Sequence, residues 1–171
     1  LVGIIVGISQ GSQPIISFNY GAAQYTRVRN TYKLAVSISL AISAVGFVAF
    51  QVFPKQVISL FGTGDQLYFD FAVQFMRWYL FMVIVNCVQL LSSNFFAAIG
   101  KPIRGVLLSL TRQVFFLVPL LLILPRFFGI YGIMAAAPVA DFIAFVTSAV
   151  VVRGELHRLA ALPEKKPDPA V

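Results

Sequence analysis

Apolar residues run along this chain in long blocks, broken by short polar punctuation, with no two-residue alternation and no once-per-turn recurrence. Each block approaches the roughly 20 residues that span a hydrocarbon core as a helix. The pattern predicts helices A over Leu1–Tyr20, B over Tyr32–Phe53, C over Phe71–Ile99, D over Ile103–Leu124 and E over Ile130–Val152. Helix C is long enough to tilt or project beyond the lipid. Gly21 is expected to end A and Pro54 to end B, with Phe61–Asp65 (FGTGD) a turn. Gly100 with Pro102 separates C from D, and Pro125 with Gly129 separates D from E. Runs such as LVPLLLILP do not alternate, which excludes a transmembrane β-barrel.

Charge gives the helices a direction. Arg27, Arg29 and Lys33 lie between A and B, Lys101 and Arg104 between C and D, and Arg153, Arg158, Lys165 and Lys166 after E. The other two connections carry only Lys55 and Arg126, with Arg77 near the start of C beside Trp78. Basic-rich ends face the cytoplasm, so the C-terminus is expected there and Leu1 on the outer side. The last residues, 159–171, are polar and Pro-rich, a composition expected to stay disordered.

Composition changes the picture only by excluding alternatives. Hydrophobic residues are 59% of 171 and charged residues 11%, with a mean hydropathy of +0.88, too apolar for one soluble core. The net charge of +7 sits in short loops where topology requires it, so it implies no nucleic-acid partner. No basic residue precedes Arg27, against a signal peptide, and the absence of a starting Met suggests a piece of a longer protein. One cysteine (Cys87) and one histidine (His157) supply neither a disulfide nor an ordinary zinc site, and the cysteine reads as a small apolar residue. Lys101 lacks the glycine pattern of a phosphate-binding loop, and no nucleophile–base pair is visible, so no enzyme is expected.

The polar residues inside the spans are the candidate chemistry. On helix A, Gly3, Gly7 and Gly11 recur every fourth residue, a spacing that admits close helix packing. Pro14 removes a backbone hydrogen bond and clashes with the Gln10 carbonyl, so a bend is expected. Gln10, Gln13 and Ser17 share a face that serves either as interhelical glue or as cavity lining. On helix C, Asn86, Gln89 and Ser93 share a face with Tyr79 and Met82 above them; the set suits either interhelical bonding or an amphipathic cation. Asp141 is the one acid deep in a span, either a proton or cation site or a structural bond to a neighbour such as Arg112. Gly132, Ala136, Ala140, Ala144 and Ser148 form a small-residue stripe on helix E, read as a packing seam.

The run GISQGSQPIISFNYGAAQYTRVR, Gly7 to Arg29, resembles the eighth helix and following loop of the multidrug and toxic compound extrusion (MATE) family. Its Gln10-Gly11, Gln13-Pro14, Asn19 and Gly21-Ala22 carry the likeness. FFAAIGKP, Phe95 to Pro102, looks like the end of the family's tenth helix, and GIYGIMAAAPVADFIAF, Gly129 to Phe145, is similar to its twelfth. The resemblance implies an all-α membrane protein in which five transmembrane helices form most of the second six-helix bundle. It implies efflux of organic cations or drugs in exchange for protons or sodium, with no other cofactor. The partners implied are membrane lipid, the drug substrate and the missing N-terminal helices, and the place implied is a bacterial inner membrane. A carboxylate that many members carry in the first bundle has no counterpart here. The alternatives are a lipid-linked saccharide flippase of the same superfamily, disfavoured by amide-lined spans, or a non-transporting truncated membrane protein.

Overall fold

The computed structural model describes residues 1–60, 66–80 and 82–164, with the backbone alone at 67, 68, 79 and 83. The expected turn at 61–65 and the tail from 165 onward lie outside the described residues. Every described element is helical: α1 (Val2–Gly21), α2 (Tyr25–Val52), α3 (Pro54–Ser59), α4 (Gln66–Tyr79), α5 (Val83–Ala98), α6 (Pro102–Leu110), a π-helical segment (Thr111–Leu117), α7 (Val118–Phe128) and α8 (Ile130–Ala160).

α5 is the hub, packed against α1, α2, α6 and α8. Its Cys87, Val88, Leu91, Phe95 and Phe96 are buried with Ile5 and Ile16 of α1, Val28 and Tyr32 of α2, and Leu108 of α6. The Tyr32 ring meets Phe95 at 4.7 Å, and its hydroxyl lies 3.0 Å from Ser92 Oγ. The small-residue seam of α8 is confirmed: Ala136, Ala140, Ala144 and Ser148 are all at most 2% exposed. Lipid tails are as apolar as leucine, so such helices are held by close packing and buried polar bonds. Gly132 and Gly105 show how close: a Cβ at either would collide with a backbone carbonyl oxygen, of Leu124 and Ser93 respectively.

Several expected boundaries move, each for a physical reason. Helix B starts at Tyr25, seven residues before Tyr32, because buried Val28 anchors its first turn and a left-handed Ala23 (φ 55°) makes the preceding turn tight. Pro54 opens α3 as its first residue, where a missing N–H costs nothing. Helix C is two helices, broken at 80–82 with neither proline nor glycine at the break; α4 packs on α3 and α8 while α5 runs into the hub. Helix D continues through Pro125 to Phe128, and Gly129, at φ 57°, makes the turn. Helix E continues two turns past Val152 because Glu155 and Leu159 are buried there. The expected disorder therefore does not begin at 159: Leu159 and Ala160 are helical, Leu162 packs on the core, and the Glu164 carboxylate accepts the Thr26 N–H.

Three described helical stretches are long and apolar enough to cross a membrane: Tyr25–Val52, Pro102–Phe128 and Ile130–Ala160. α1 has the length, but its Ser9, Gln10, Ser12, Gln13 and Asn19 lower its hydropathy, and the break at 80–82 leaves α5 apolar but short.

Candidate functional site

Prolines shape the helices around the site. Pro119 cannot donate to the Phe115 carbonyl one turn back, and the π-helical segment Thr111–Leu117 spans that gap. The widened turn carries Arg112. Pro138, inside α8, removes another bond three residues before Asp141. Asp141 is 11 residues past the start of α8, roughly 17 Å along its axis and near the middle of a roughly 30 Å core.

The structure brings Arg112, Asp141 and Asn86 together. Arg112 Nε donates to Asp141 Oδ1 at 2.5 Å, and Asn86 Nδ2 reaches Oδ2 at 3.5 Å. Asp141 is buried, and its arginine is one-quarter exposed. A carboxylate at this depth needs such partners, because stranded charge in the hydrocarbon is costly. Gln89, one turn along α5, donates to the Leu108 carbonyl at 3.4 Å. Ser109 Oγ donates to Ser93 Oγ at 3.0 Å. Asn86, Gln89 and Arg112, with Val2, Ile5, Cys87 and Leu90, line a cavity of about 170 Å³ between α1, α5 and the π-helical segment.

A larger cleft of about 600 Å³ opens between α2, α4 and α8, lined by apolar side chains with Gln51 and Arg77 at its rim. The smaller cavity is the candidate site, because the mid-span charge and amides converge there.

Of the sequence candidates, Asn86, Gln89 and Asp141 come together, and the structural bond from Asp141 to Arg112 is the one formed. Gln10 lies exposed on α1, and Gln13 is half-buried away from the cavity. Ser17 acts as glue, donating to the Ala98 carbonyl at 2.9 Å. Met82 sits where α5 begins, its carbonyl accepting from Val85 and Asn86. The Tyr79 side chain lies outside the described residues. The glycine stripe is corrected: Gly3, Gly7 and Gly11 are exposed, and a Cβ on any of them would touch nothing within 4 Å. Pro14 and Phe18 continue that face, also exposed, so close packing among the described helices is not its role. Asn19 is buried and donates to the Ile15 carbonyl at 2.8 Å, and Gly21 closes α1.

One cluster was missed by sequence reasoning. Glu155, 4% exposed, is bonded by Lys101 Nζ, by Arg104 Nη1 at 2.8 Å and more loosely by Arg158 Nη1 at 3.6 Å. The available signal was one acid set among cations, three residues before Arg158.

Fold and site together define a polytopic helical membrane protein with a polar pocket at mid-depth. Residues 1–123 match the MatE family, and the chain belongs to that family, one of transporters and not of enzymes. The multidrug export protein MepA of Staphylococcus haemolyticus (strain JCSC1435) is 24% identical over 156 residues, 91% of this chain and 34% of its own. The MATE multidrug transporter DinF-BH, solved as a complex with a small molecule, is 33% identical with a TM-score of 0.85, over 93% of this chain and 35% of that one. The MATE transporter ClbM, in complex with Rb⁺, is 28% identical with a TM-score of 0.79, over 91% and 37%. This chain thus spans about a third of the length of the relatives it matches.

Proposed function

We propose that this chain forms one wall of the transport cavity in a secondary active efflux antiporter for drugs and organic cations. A proton or sodium gradient drives it by alternating access. The observation that carries this reading is the Arg112–Asp141–Asn86 constellation beside a cavity at mid-depth, since ionisable groups there mark ion or substrate routes. An entering proton or cation competes with Arg112 for the Asp141 carboxylate. The freed guanidinium then changes the charge of the wall, so outward- and inward-open states gain different stabilities. Gln89 and Asn86 supply amide contacts to the cargo.

The family membership, the DinF-BH complex and the Rb⁺-bound ClbM support the cargo and ion classes. The exposed Gly3–Gly7–Gly11–Pro14 face supports a partner bundle, supplied by the rest of the protein. In this reading α1 and α4–α5 also cross, giving five spans in a bacterial inner membrane with a cytoplasmic C-terminus. Ethidium efflux from vesicles holding the full-length protein, under imposed proton or sodium gradients, tests it. Asp141→Asn should abolish gradient-driven efflux; absence of transport under both gradients in the unaltered protein overturns the reading.

A further inference from the structure

The Glu155 cluster lies at the opposite end of the spans from Gly129 and takes no part in the mid-depth site. Three cations share one carboxylate there, leaving two positive charges uncompensated. The surplus faces outward: the Arg104 and Arg158 side chains are 53% and 60% exposed, while Glu155 beneath them is 3% exposed. Glu155 therefore fixes where the arginines stand, and both keep N–H groups free for a second anion.

The surface directly below is apolar. Ile103, Leu107 and Leu110 follow one another down α6 at i, i+4 and i+7, and are 75%, 54% and 43% exposed. Arg104 sits one turn from Leu107, at i, i+3. A phosphate-accepting rim thus stands at the end of a bare apolar stripe on the same helix. Alkyl chains and a phosphodiester are joined in that order in a phospholipid. A soluble phosphate or an acidic peptide would use the rim and leave the stripe uncovered.

We propose that Arg104 and Arg158, positioned by Glu155 and Lys101, form a binding site for an anionic phospholipid whose acyl chain lies along Ile103, Leu107 and Leu110. The phosphate bridges the two guanidinium groups. A zwitterionic headgroup, as in phosphatidylcholine, brings its own cation, leaves the excess charge of the rim uncompensated and is disfavoured. The site needs only a membrane-spanning chain, so it stands apart from the transport reading.

Native mass spectrometry of the full-length protein, released from micelles holding equal phosphatidylglycerol and phosphatidylcholine, reads the lipid retained. Phosphatidylglycerol should be kept preferentially. Each basic residue near a membrane surface strengthens binding roughly fivefold, so R158Q should cut retention roughly fivefold and R104Q/R158Q roughly thirtyfold. E155Q keeps all three cations and should retain phosphatidylglycerol or hold more of it. R126Q, an exposed cation at the other end of the spans, should change retention by less than about twofold. Equal retention of the two lipids, or an unchanged preference in R104Q/R158Q, overturns the proposal. If the double variant does not fold, R158Q alone decides, because the Lys101 and Arg104 bonds to Glu155 remain. Retained lipid preference with no ethidium transport would leave this site standing and remove the transport reading.

Discussion

Asp141 and Glu155 lie on the same helix, 14 residues apart, or roughly 21 Å along its axis. Each is bonded by an arginine from the helical rod Pro102–Phe128. Both carboxylates are buried, yet the two pairs are different objects. Asp141 has one cation, one amide and no surplus charge, at a depth where water cannot replace either partner. Glu155 has three cations, two of them more than half exposed, where solvent and headgroups can take over a lost bond. The same chemistry is thus a neutral pair that switches only when something enters, and a surface charge that is always on offer.

The sharpest way to break this comparison is to remove Arg112. Arg112→Gln leaves the Asp141 carboxylate buried with a single weak amide contact. Stranding one half of a buried pair costs about 3–5 kcal/mol. The expected outcome is a large drop in the midpoint of thermal unfolding, followed by fluorescence-detected size exclusion in detergent. R112Q/D141N, which removes both charges, should recover most of the loss. If R112Q is as stable as the unaltered protein, Asp141 is not carried as a charge by Arg112, and the two pairs are less different than argued.

The contrast was partly legible beforehand. Asp141 stands out as one acid among apolar residues, and Asn86 and Gln89 fall on one face by spacing alone. Their meeting with Arg112 was open, because it depends on how α8 lies against the rod. Glu155 was hidden because the polar composition after Val152 reads as tail, whereas the helix persists through tertiary bonds to Lys101 and Arg104. The break at 80–82 left no mark, having neither proline nor glycine, and Pro125 left a false one, tolerated one turn from the end of α7. The glycines divide the same way: Gly105 and Gly132 take the close contacts, while the regular Gly3–Gly7–Gly11 stripe takes none among the described helices.

Gly105 joins the two regions, since it seats the rod that carries both Arg104 and Arg112 against α5. A methyl group there would run into the Ser93 carbonyl oxygen, and backbone cannot step aside. Gly105→Ala should cost about 1–3 kcal/mol as overpacking. Gly7→Ala, with open space at its Cβ, should be neutral or stabilising by about 0.5–1 kcal/mol through helix propensity. Unfolding midpoints of the two variants give the order. A reversed order would mean that the rod does not rest on α5 as described.

Glu155→Gln tests the other pole. The three cations can turn to solvent or lipid headgroups, so about 1 kcal/mol is expected, well below the cost of R112Q. The loss should shrink as salt rises, since exposed charges are screened within about 8–10 Å. The R112Q loss should be nearly salt-independent. Equal salt sensitivity at both sites would erase the distinction of depth.

The smallest effect belongs to the last described acid. Glu164 accepts the Thr26 N–H at the start of α2, and that bond, helped by the charge of Arg29, lowers its carboxyl pKa below the ordinary glutamate value. A carboxylate depressed in the folded state contributes above its unfolded pKa and loses that contribution as pH falls through the folded one. Glu164 is fully exposed, so the change stays local and the midpoint of global unfolding should not move. The Thr26 amide reports it: its protection from hydrogen exchange, corrected for the intrinsic pH dependence of exchange, should hold at neutral pH. It should fall only below the usual carboxylate range. Glu164→Gln should remove this pH dependence while leaving the Arg112 and Glu155 sites unchanged. A Thr26 amide equally protected at acid pH would mean that the residues after α8 are held at α2 by the packing of Leu162 and not by charge.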